Sequence, residues 1–322
     1  MDLATDTRLF IKGETLRHRA LGDRLFKWLT LAMALSVFAL IVLIGYELAH
    51  GSHLALRKFG WRFLFRSDWD PVSEQFGALP FIFGTLVSSA IALVIAVPLS
   101  IATAVYLTEI APNWIGRTLT LFIELLAAVP SVILGIWGIF VMVPWCRAHL
   151  FPWVRSTLGF LPLFQGPIYG ISMLAGGIII AIMILPIITS VSREILRSVP
   201  GLQREAAYAL GATRWEVTRI AVLSYAKTGI FGAIILGLGR ALGETMAVTM
   251  VIGNRPEIAA SLFAPGYTLA SVVANEFTEA TTDIYLSALF EIGLVLLGIT
   301  VVVNALAQLL LKTFGPTVTP PH

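Results

Sequence analysis

The sequence has very little cysteine and few charged residues. Among 322 residues there is a single cysteine, Cys146, and only 13% of the residues are charged, against roughly 25% in ordinary soluble domains. One cysteine excludes an intrachain disulfide framework and a multi-cysteine metal site. Because 57% of the residues are hydrophobic, the composition argues against a soluble globular domain and favours a membrane protein.

Sequence patterns of several enzyme classes are also missing. The chain has no G-x-x-x-x-G-K-[ST] phosphate loop, so we expect that it does not hydrolyse ATP itself. There is no HExxH pattern or His/Cys ligand cluster, and the histidines all lie outside the predicted helix interiors (His18, His50, His53, His149 and His322). We therefore predict no metal site, no cofactor and no catalytic activity in this chain. A net charge of +3 is weak support for nucleic-acid binding.

Six apolar runs dominate the sequence. About 20 apolar residues suffice to cross the hydrocarbon core of a bilayer, where a helix satisfies its own backbone hydrogen bonds. We predict an all-α membrane protein with six transmembrane helices and a single transmembrane domain over 28–311, preceded by a polar segment at 1–27 and followed by a tail at 312–322. The predicted helices are 28–46, 79–107, 119–143, 171–191, 229–253 and 284–311.

The basic residues predict the orientation of these helices. With six crossings both termini lie on one side, and that side receives 14 lysines and arginines while the other receives 7. Cytoplasmic loops carry the excess of positive charge. We therefore place both termini and the loop at 192–227 in the cytoplasm. No convincing small-x-small cleavage site follows the first run, so we expect this helix to be retained.

Irregular stretches interrupt the apolar runs. The loop at 47–78 mixes aromatic with basic residues, which we interpret as a belt at the membrane interface rather than a nucleic-acid surface. Several prolines and two tryptophans predict an irregular connection over 144–170. The prolines inside the runs, Pro98, Pro130 and Pro186, predict kinks in otherwise continuous helices.

The loop at 192–227 has the signals of a helical hairpin. Pro200 suits the start of a helix, and Gly211 suits the left-handed position that closes one. Thr213 followed by Glu216 is a capping box that begins a second helix toward the membrane. The first helix would carry Glu205, Ala206 and Ala207. From these residues alone, either a helix that docks into a groove of another protein or an ordinary amphipathic connector is possible.

This hairpin resembles the EAA loop of ABC importer permeases. The matching residues are Glu205-Ala206-Ala207, Gly211, Ile220 and Leu223. The family usually continues Leu-Pro, whereas Ser224 follows Leu223 here, which affects the expected last turn of the loop. The resemblance implies a type I ABC importer permease fold in which this loop is the coupling helix that sits in a cleft of the ATP-hydrolysing subunit.

The fifth apolar run contains the charges Arg240 and Glu244. Four residues apart in a helix, they share a face and are able to pair directly. Ionisable residues in a bilayer usually face the bundle interior or a wet cavity, so we interpret both as lining a translocation pathway; a self-satisfied buried ion pair is the alternative. Gly239 and Gly243 permit close helix approach on the neighbouring face. Glu124 is the other intramembrane acid considered, and its position also suits a side chain that reaches water.

The guanidinium of Arg240 is a planar group of N–H donors whose geometry matches that of an oxyanion. Arg240 is therefore our candidate for contacting an anion in transit. The segment 237–254, together with Trp69-Asp70-Pro71, the residues 76–80 and Asn275-Glu276-Phe277, resembles the PstC family, which are membrane permease subunits of bacterial phosphate ABC importers. The resemblance implies a location in the bacterial inner membrane and transport of inorganic phosphate. It also implies three kinds of partner: a PstA-like second permease subunit, two copies of a PstB-like ATPase that uses the ATP, and a PstS-like periplasmic phosphate-binding protein. Two alternatives stay open: a permease for another oxyanion such as molybdate or sulfate, and a stand-alone secondary transporter or channel.

Overall fold

The computed structural model describes residues 3–314, and the side chains of residues 23–311. The chain consists of two units, one that ends at His50 and one that begins at Gly51. Among the described residues the regular structure is helical, and the only β-type pairings are two isolated bridges. The predicted all-α class is therefore confirmed.

Long apolar helices form most of the chain, as the apolar runs require. In chain order the helices are α1 (Leu3–Gly51), α2 (His53–Phe59), α3 (Leu79–Ile110), α4 (Asn113–Ala128), α5 (Ser131–Leu158), α6 (Met173–Arg197), α7 (Gly201–Ala209), α8 (Arg214–Gly243), α9 (Met246–Ile252), α10 (Leu269–Glu276) and α11 (Asp283–Phe314). Within the described part, six helices are long and apolar enough to cross a membrane: α1 from Asp23 onward, α3, α5, α6, α8 and α11. The predicted number of membrane helices is confirmed.

The third predicted helix, 119–143, is not continuous. α4 ends at Ala128, and Val129 and Pro130 both have extended backbone, with ψ of 126° and 139°. Proline has no N–H to donate and disfavours a helical conformation in the residue before it, so it separates two helices here instead of kinking one. The spanning helix in this region is α5, which starts after Pro130.

The predicted irregular connection at 144–170 is helical over much of its length. α5 continues to Leu158 through two wide π-type turns, at Gly138–Met142 and Cys146–Leu150. Such turns relax the regular i to i−4 hydrogen-bond ladder. They precede Pro144 and Pro152 closely, so the helix tolerates two residues that lack an N–H.

The ends of the chain extend the predicted helices. The backbone of the polar segment predicted at 1–27 is helical from Leu3, as the first part of α1. α11 continues three residues past the predicted end, to Phe314. The rest of the tail predicted at 312–322 lies outside the described residues.

The helix α6 lies at the centre of the core of the second unit. Its isoleucines Ile179, Ile184 and Ile188 are fully buried and pack against small residues of α3 and against α9. Ser100 of α3 donates a hydrogen bond of 3.0 Å to the carbonyl of Leu185, directly before Pro186. α6 is helical through Pro186, and this hydrogen bond ties it to α3.

Two smaller clusters of buried residues lie apart from this core. One is rich in aromatic residues and joins the segment after α2 to α3, α10 and α11; it includes Phe63, Phe76, Phe81, Tyr267 and Tyr285. The other joins the ends of α3 and α6 to α8, through Ala104, Leu196, Val199, Val222 and Ala226.

The interpretation of the 47–78 loop as an interfacial belt is wrong for part of its aromatic residues. Phe63 is fully buried and Trp69 packs edge-on against Phe76 at 4.9 Å between ring centroids. Only Trp61 and Phe65 are largely exposed. Sequence alone did not separate the two sets, because basic neighbours surround both.

Candidate functional site

The fifth predicted helix, 229–253, is broken inside its charged segment. α8 ends at Gly243, Glu244 has extended backbone (φ −69°, ψ 126°), and α9 begins at Met246. The Thr245 hydroxyl donates to the carbonyl of Gly243 at 3.1 Å, which satisfies one of the carbonyls left open at the end of α8. The expectation of one continuous helix was wrong, and the break falls at Glu244.

The break between α8 and α9 lies against the break between α4 and α5. Gly135, in the first turns of α5, lies so close to α9 that an added Cβ would be 3.0 Å from Cα of Ala247 and 2.6 Å from Sδ of Met250. The Ser131 side chain, at the start of α5, lies near the Glu244 carboxylate and interacts with it. Two interrupted helices therefore meet, and the starts of α5 and α9 are both close to Glu244. Discontinuous helices of this kind form the substrate sites of many transporters.

Arg240 and Glu244 do not pair as the helical spacing predicts. None of the ion pairs among the described residues joins them, because Glu244 has left the helix and the four-residue spacing no longer places the side chains on one face. The two groups still interact electrostatically. Arg240 is exposed in this chain and Glu244 is half-buried, so the guanidinium is accessible to a ligand.

The glycines next to these charges are open. No heavy atom comes within 4 Å of a Cβ built on Gly243, and for Gly239 the one neighbour is Oδ1 of Asn304 at 4.0 Å. Within this chain, close helix packing at the Gly239–Gly243 spacing is therefore not formed. Open space beside Arg240 is what a pathway-lining segment requires.

The predicted helical hairpin at 192–227 is present, and the residues that predicted its turn and its second helix have the expected conformations. Gly211 has φ of +84°, the left-handed conformation that glycine adopts without strain. Thr213 and Glu216 form a complete capping box, with the Glu216 carboxylate accepting from the Thr213 N–H at 2.7 Å. The helix that begins there runs without interruption into the membrane span of α8, so α7 and its turn are joined directly to the segment that carries Arg240.

The helix α7 presents its motif residues outward. None of its residues is buried, Glu205 and Ala206 are exposed, and Ala207 is half-buried. Around them Leu202 and Leu210 are 77% and 89% exposed. Large apolar side chains so exposed on a polar hairpin are typical of an interaction surface.

Two acidic residues lie in the predicted apolar runs outside the Arg240 segment. Glu124 is exposed on α4, a helix that is not among the candidate membrane spans. Glu291, which sequence reasoning missed, is 3% exposed in the span of α11, and its Oε2 has no hydrogen-bond partner. The sequence did indicate this residue, because Glu291 is an acid inside the predicted apolar run 284–311.

The motifs at Trp69-Asp70-Pro71 and Asn275-Glu276-Phe277 meet in one polar cluster. The Trp69 indole N–H and the Tyr285 hydroxyl each donate to Oε2 of Glu276 at 2.7 Å, and the Asn275 amide donates to the Tyr267 hydroxyl at 3.0 Å. Burial raises the pKa of Tyr267 well above its ordinary value, so this phenol stays protonated at neutral pH. The cluster ties the loop before α3 to α10 and α11.

Metal binding finds no support in the described residues, which contain no group of three or more His, Cys, Asp or Glu side chains arranged to hold an ion. Cys146 is buried as a free thiol. The chemistry available at the α8–α9 break is therefore that of a guanidinium, a carboxylate and backbone N–H groups.

Comparison with known proteins gives consistent matches over most of the chain. Residues 96–318 match the family described as binding-protein-dependent transport system inner membrane component. The chain is 47% identical over 304 residues to the phosphate transport system permease protein PstC of Mesorhizobium japonicum, which covers 93% of each protein. It is 46% identical over 299 residues to the protein of the same name from Haemophilus influenzae, covering 92% of this chain and 95% of that one.

Solved structures show the same fold at low sequence identity. The crystal structure of a bacterial ABC transporter involved in the import of the acidic polysaccharide alginate contains a chain that superposes with a TM-score of 0.60 at 16% identity. The match covers 92% of this chain and 100% of that one. The helices described above are therefore arranged as in ABC importer permeases, as the resemblance implied.

Proposed function

Because the chain belongs to the family of binding-protein-dependent transport system inner membrane components, we propose that it is the membrane permease subunit of an ATP-driven importer that brings inorganic phosphate into the cytoplasm. The observation that carries the proposal is the broken helix α8–α9, which leaves the Arg240 guanidinium accessible beside the Glu244 carboxylate. The relatives of highest identity named above are phosphate transport permeases.

Arg240 has the chemistry to contact phosphate in transit. Its guanidinium presents N–H donors in a plane that matches two oxygens of an oxyanion. The starts of α5 and α9 lie close to Glu244, at the break that follows Arg240. Placing an arginine in a membrane costs about 2.5–3.5 kcal/mol on insertion scales, a cost that a transport function explains.

Glu244 limits how tightly the pathway holds its anion. The carboxylate repels phosphate oxygens and interacts with Arg240, so it offsets part of the attraction. Conduction through a site requires binding that is favourable enough for entry and weak enough for release. The pair Arg240 and Glu244 thus provides a transient contact rather than a storage site.

Energy for transport comes from a separate ATPase that docks on α7. This chain lacks a phosphate loop, and α7 has Glu205, Ala206 and Ala207 beside exposed leucines, with Gly211 closing the helix. A short helix with apolar side chains suits a groove on a partner protein. The uninterrupted helix from Arg214 to Gly243 connects this docking end to the broken segment at Glu244.

The complete transporter requires partners that this chain does not supply. We propose a PstA-like permease subunit that completes the pathway beside Arg240, two PstB-like ATPase subunits, and a PstS-like periplasmic protein that delivers phosphate. Both termini and α7 face the cytoplasm of a bacterial inner membrane, in line with the excess of basic residues on that side. In this arrangement the loaded binding protein docks outside, ATP-driven closure of the ATPase pushes α7, and the bundle opens inward past Arg240.

Phosphate uptake into vesicles tests the proposal. The permease, its partner permease and the ATPase are reconstituted with ATP inside, loaded binding protein outside, and radiolabelled phosphate as the reporter. We expect ATP-dependent uptake that excess sulfate and molybdate do not reduce. Uptake of one of those anions instead of phosphate would overturn the substrate, and uptake unaffected by omission of the ATPase would indicate a stand-alone carrier.

A further inference from the structure

The helix α7 is attached to the bundle by few side chains of its own. Of its nine residues only Arg204 and Ala207 are half-buried, and the others are exposed. Ala207 has a single methyl group to offer. Arg204 is therefore the side chain of α7 that makes polar contacts with the rest of the protein, one residue before the motif glutamate Glu205.

Arg204 makes three short hydrogen bonds to other elements. Its Nη2 donates to Oε1 of Glu109 at 3.0 Å and to the carbonyl of Leu196 at 2.9 Å. Its Nη1 donates to the carbonyl of Val199 at 2.7 Å. The side chains of Arg204 and Glu109 are only 24% and 14% exposed, so water screens this ion pair less than a surface pair.

The groups that Arg204 contacts are the ends of two membrane helices. Glu109 lies in the last turn of α3, and Leu196 lies in the last turn of α6. Carbonyls at a helix end have no intrahelical partner, and an arginine there satisfies them and interacts favourably with the helix dipole. One guanidinium thus joins α7 to α3 and α6 at the same time.

These helix ends are firmly packed. Leu196 is fully buried and Val199 nearly so, and both belong to the cluster that includes Ala104 of α3 and Val222 of α8. A displacement of Arg204 is therefore passed to a packed body rather than absorbed by loose side chains.

We propose that the ion pair between Arg204 and Glu109 is the link through which movement of α7 reaches the membrane helices, with Arg204 as a positioning residue for coupling. This inference rests on the proposed function, in which an ATPase pushes α7. The outward residues of α7 contact the ATPase, and Arg204 transfers the displacement to α3 and α6. Loss of the pair leaves α7 able to dock but separated from the helices that open the pathway.

The first test is the amount of phosphate taken up per ATP hydrolysed, measured in vesicles with the complete transporter. We expect Arg204→Gln and Glu109→Gln each to lower this ratio roughly fivefold or more. In the double variant the second change should add less than about twofold, because residues that act as a unit are not additive. The ATPase should co-purify with all three variants in wild-type amounts.

The matched control is Arg197→Gln, which removes an exposed arginine from the same end of α6 and should keep the wild-type ratio. A wild-type ratio in Arg204→Gln, or equal losses in Arg197→Gln, would overturn the inference. Loss of ATPase from the purified complex would also overturn it, because the defect would then be in docking.

The second test is hydrogen exchange of the α7 amides, which does not depend on transport. If the Arg204–Glu109 ion pair holds α7 in place, amides over 201–209 exchange faster in Arg204→Gln and in Glu109→Gln, and at the wild-type rate in Arg197→Gln. Unchanged exchange in both Arg204→Gln and Glu109→Gln would refute the proposed role of the ion pair. If the wild-type complex took up no phosphate with ATP, the proposed function would fail, while the exchange result would still decide whether Arg204 holds α7.

Discussion

The contact between the two interrupted helices predicts that a side chain at Gly135 forces α5 and α9 apart. A Cβ at this position would lie 3.0 Å from Cα of Ala247 and 2.6 Å from Sδ of Met250, whereas carbon atoms in favourable contact are about 3.5–4.0 Å apart. The Met250 side chain is flexible, but Cα of Ala247 belongs to the backbone of α9. Gly135→Ala must therefore push the start of α5 away from α9 by roughly 0.5–1 Å.

The magnitude follows from two opposing terms. Overpacking of a close contact costs about 1–3 kcal/mol, while replacement of a helical glycine by alanine gains about 1 kcal/mol. Gly298→Ala, on α11, is the matched control, because no heavy atom lies within 4 Å of the Cβ it would introduce. Gly298→Ala gains the helix propensity of alanine without any overpacking. Gly135→Ala should therefore be about 1–3 kcal/mol less stable than Gly298→Ala.

Thermal unfolding of the purified chain in detergent measures this difference. We expect the midpoint of Gly135→Ala to lie roughly 2–10 °C below that of Gly298→Ala. Phosphate uptake should fall in Gly135→Ala and stay near the wild-type rate in the control, because the separated helices meet beside Glu244. Equal midpoints and equal uptake in the two variants would refute the contact between α5 and α9.

Two further predictions concern the hairpin and the polar cluster. Gly211→Ala places a Cβ at φ of +84° and should lower the stability of the protein by about 1–2 kcal/mol. Gly201→Ala, at the start of the same helix, is the control and should leave stability nearly unchanged. Thermal unfolding compares the two variants, and equal midpoints would contradict the left-handed turn. Tyr285→Phe removes a 2.7 Å hydrogen bond to Glu276 and should cost about 1.5–3 kcal/mol, while the exposed Tyr225→Phe should cost little. A denaturation series that found both tyrosine variants equally stable would argue against the cluster.

Sequence reasoning succeeded where a local pattern has one physical solution. Apolar runs of sufficient length have to be helices in a bilayer, so the six spans were predictable. Gly211 and the Thr213–Glu216 capping box are likewise local signals, and the structure contains both. These features depend on residues within one or two turns of each other.

The breaks in the helices were not predictable in the same way. Pro130 lies in an apolar run, where a proline is compatible with either a kink or a full interruption, and the structure has the interruption. Glu244 has no residue before it that ends a helix unambiguously, since Gly243 also suits helix packing. Both breaks are stabilised by the contact of α5 with α9, which is a property of the tertiary structure.

Charge placement was predicted in part. Arg240 and Glu244 are the charges of the fifth predicted run, but the direct pair that a continuous helix would allow is not formed, because the helix breaks at Glu244. Glu291 was missed although it lies inside the predicted run 284–311, where it is buried. Whether an acid faces the interior or the surface, as for Glu291 and Glu124, depends on helix rotation that one sequence does not reveal.

The proposed transport pathway depends on contact between Arg240 and phosphate inside the membrane. The most direct measurement is ATP-dependent phosphate uptake by vesicles that contain Arg240→Gln in the fully assembled transporter. Arg147→Gln, which alters an exposed arginine of the span α5, is the control. We expect assembled complexes in both cases, with uptake reduced at least about tenfold in Arg240→Gln and near the wild-type rate in Arg147→Gln. Near-normal uptake by Arg240→Gln would show that phosphate passes without contacting this arginine.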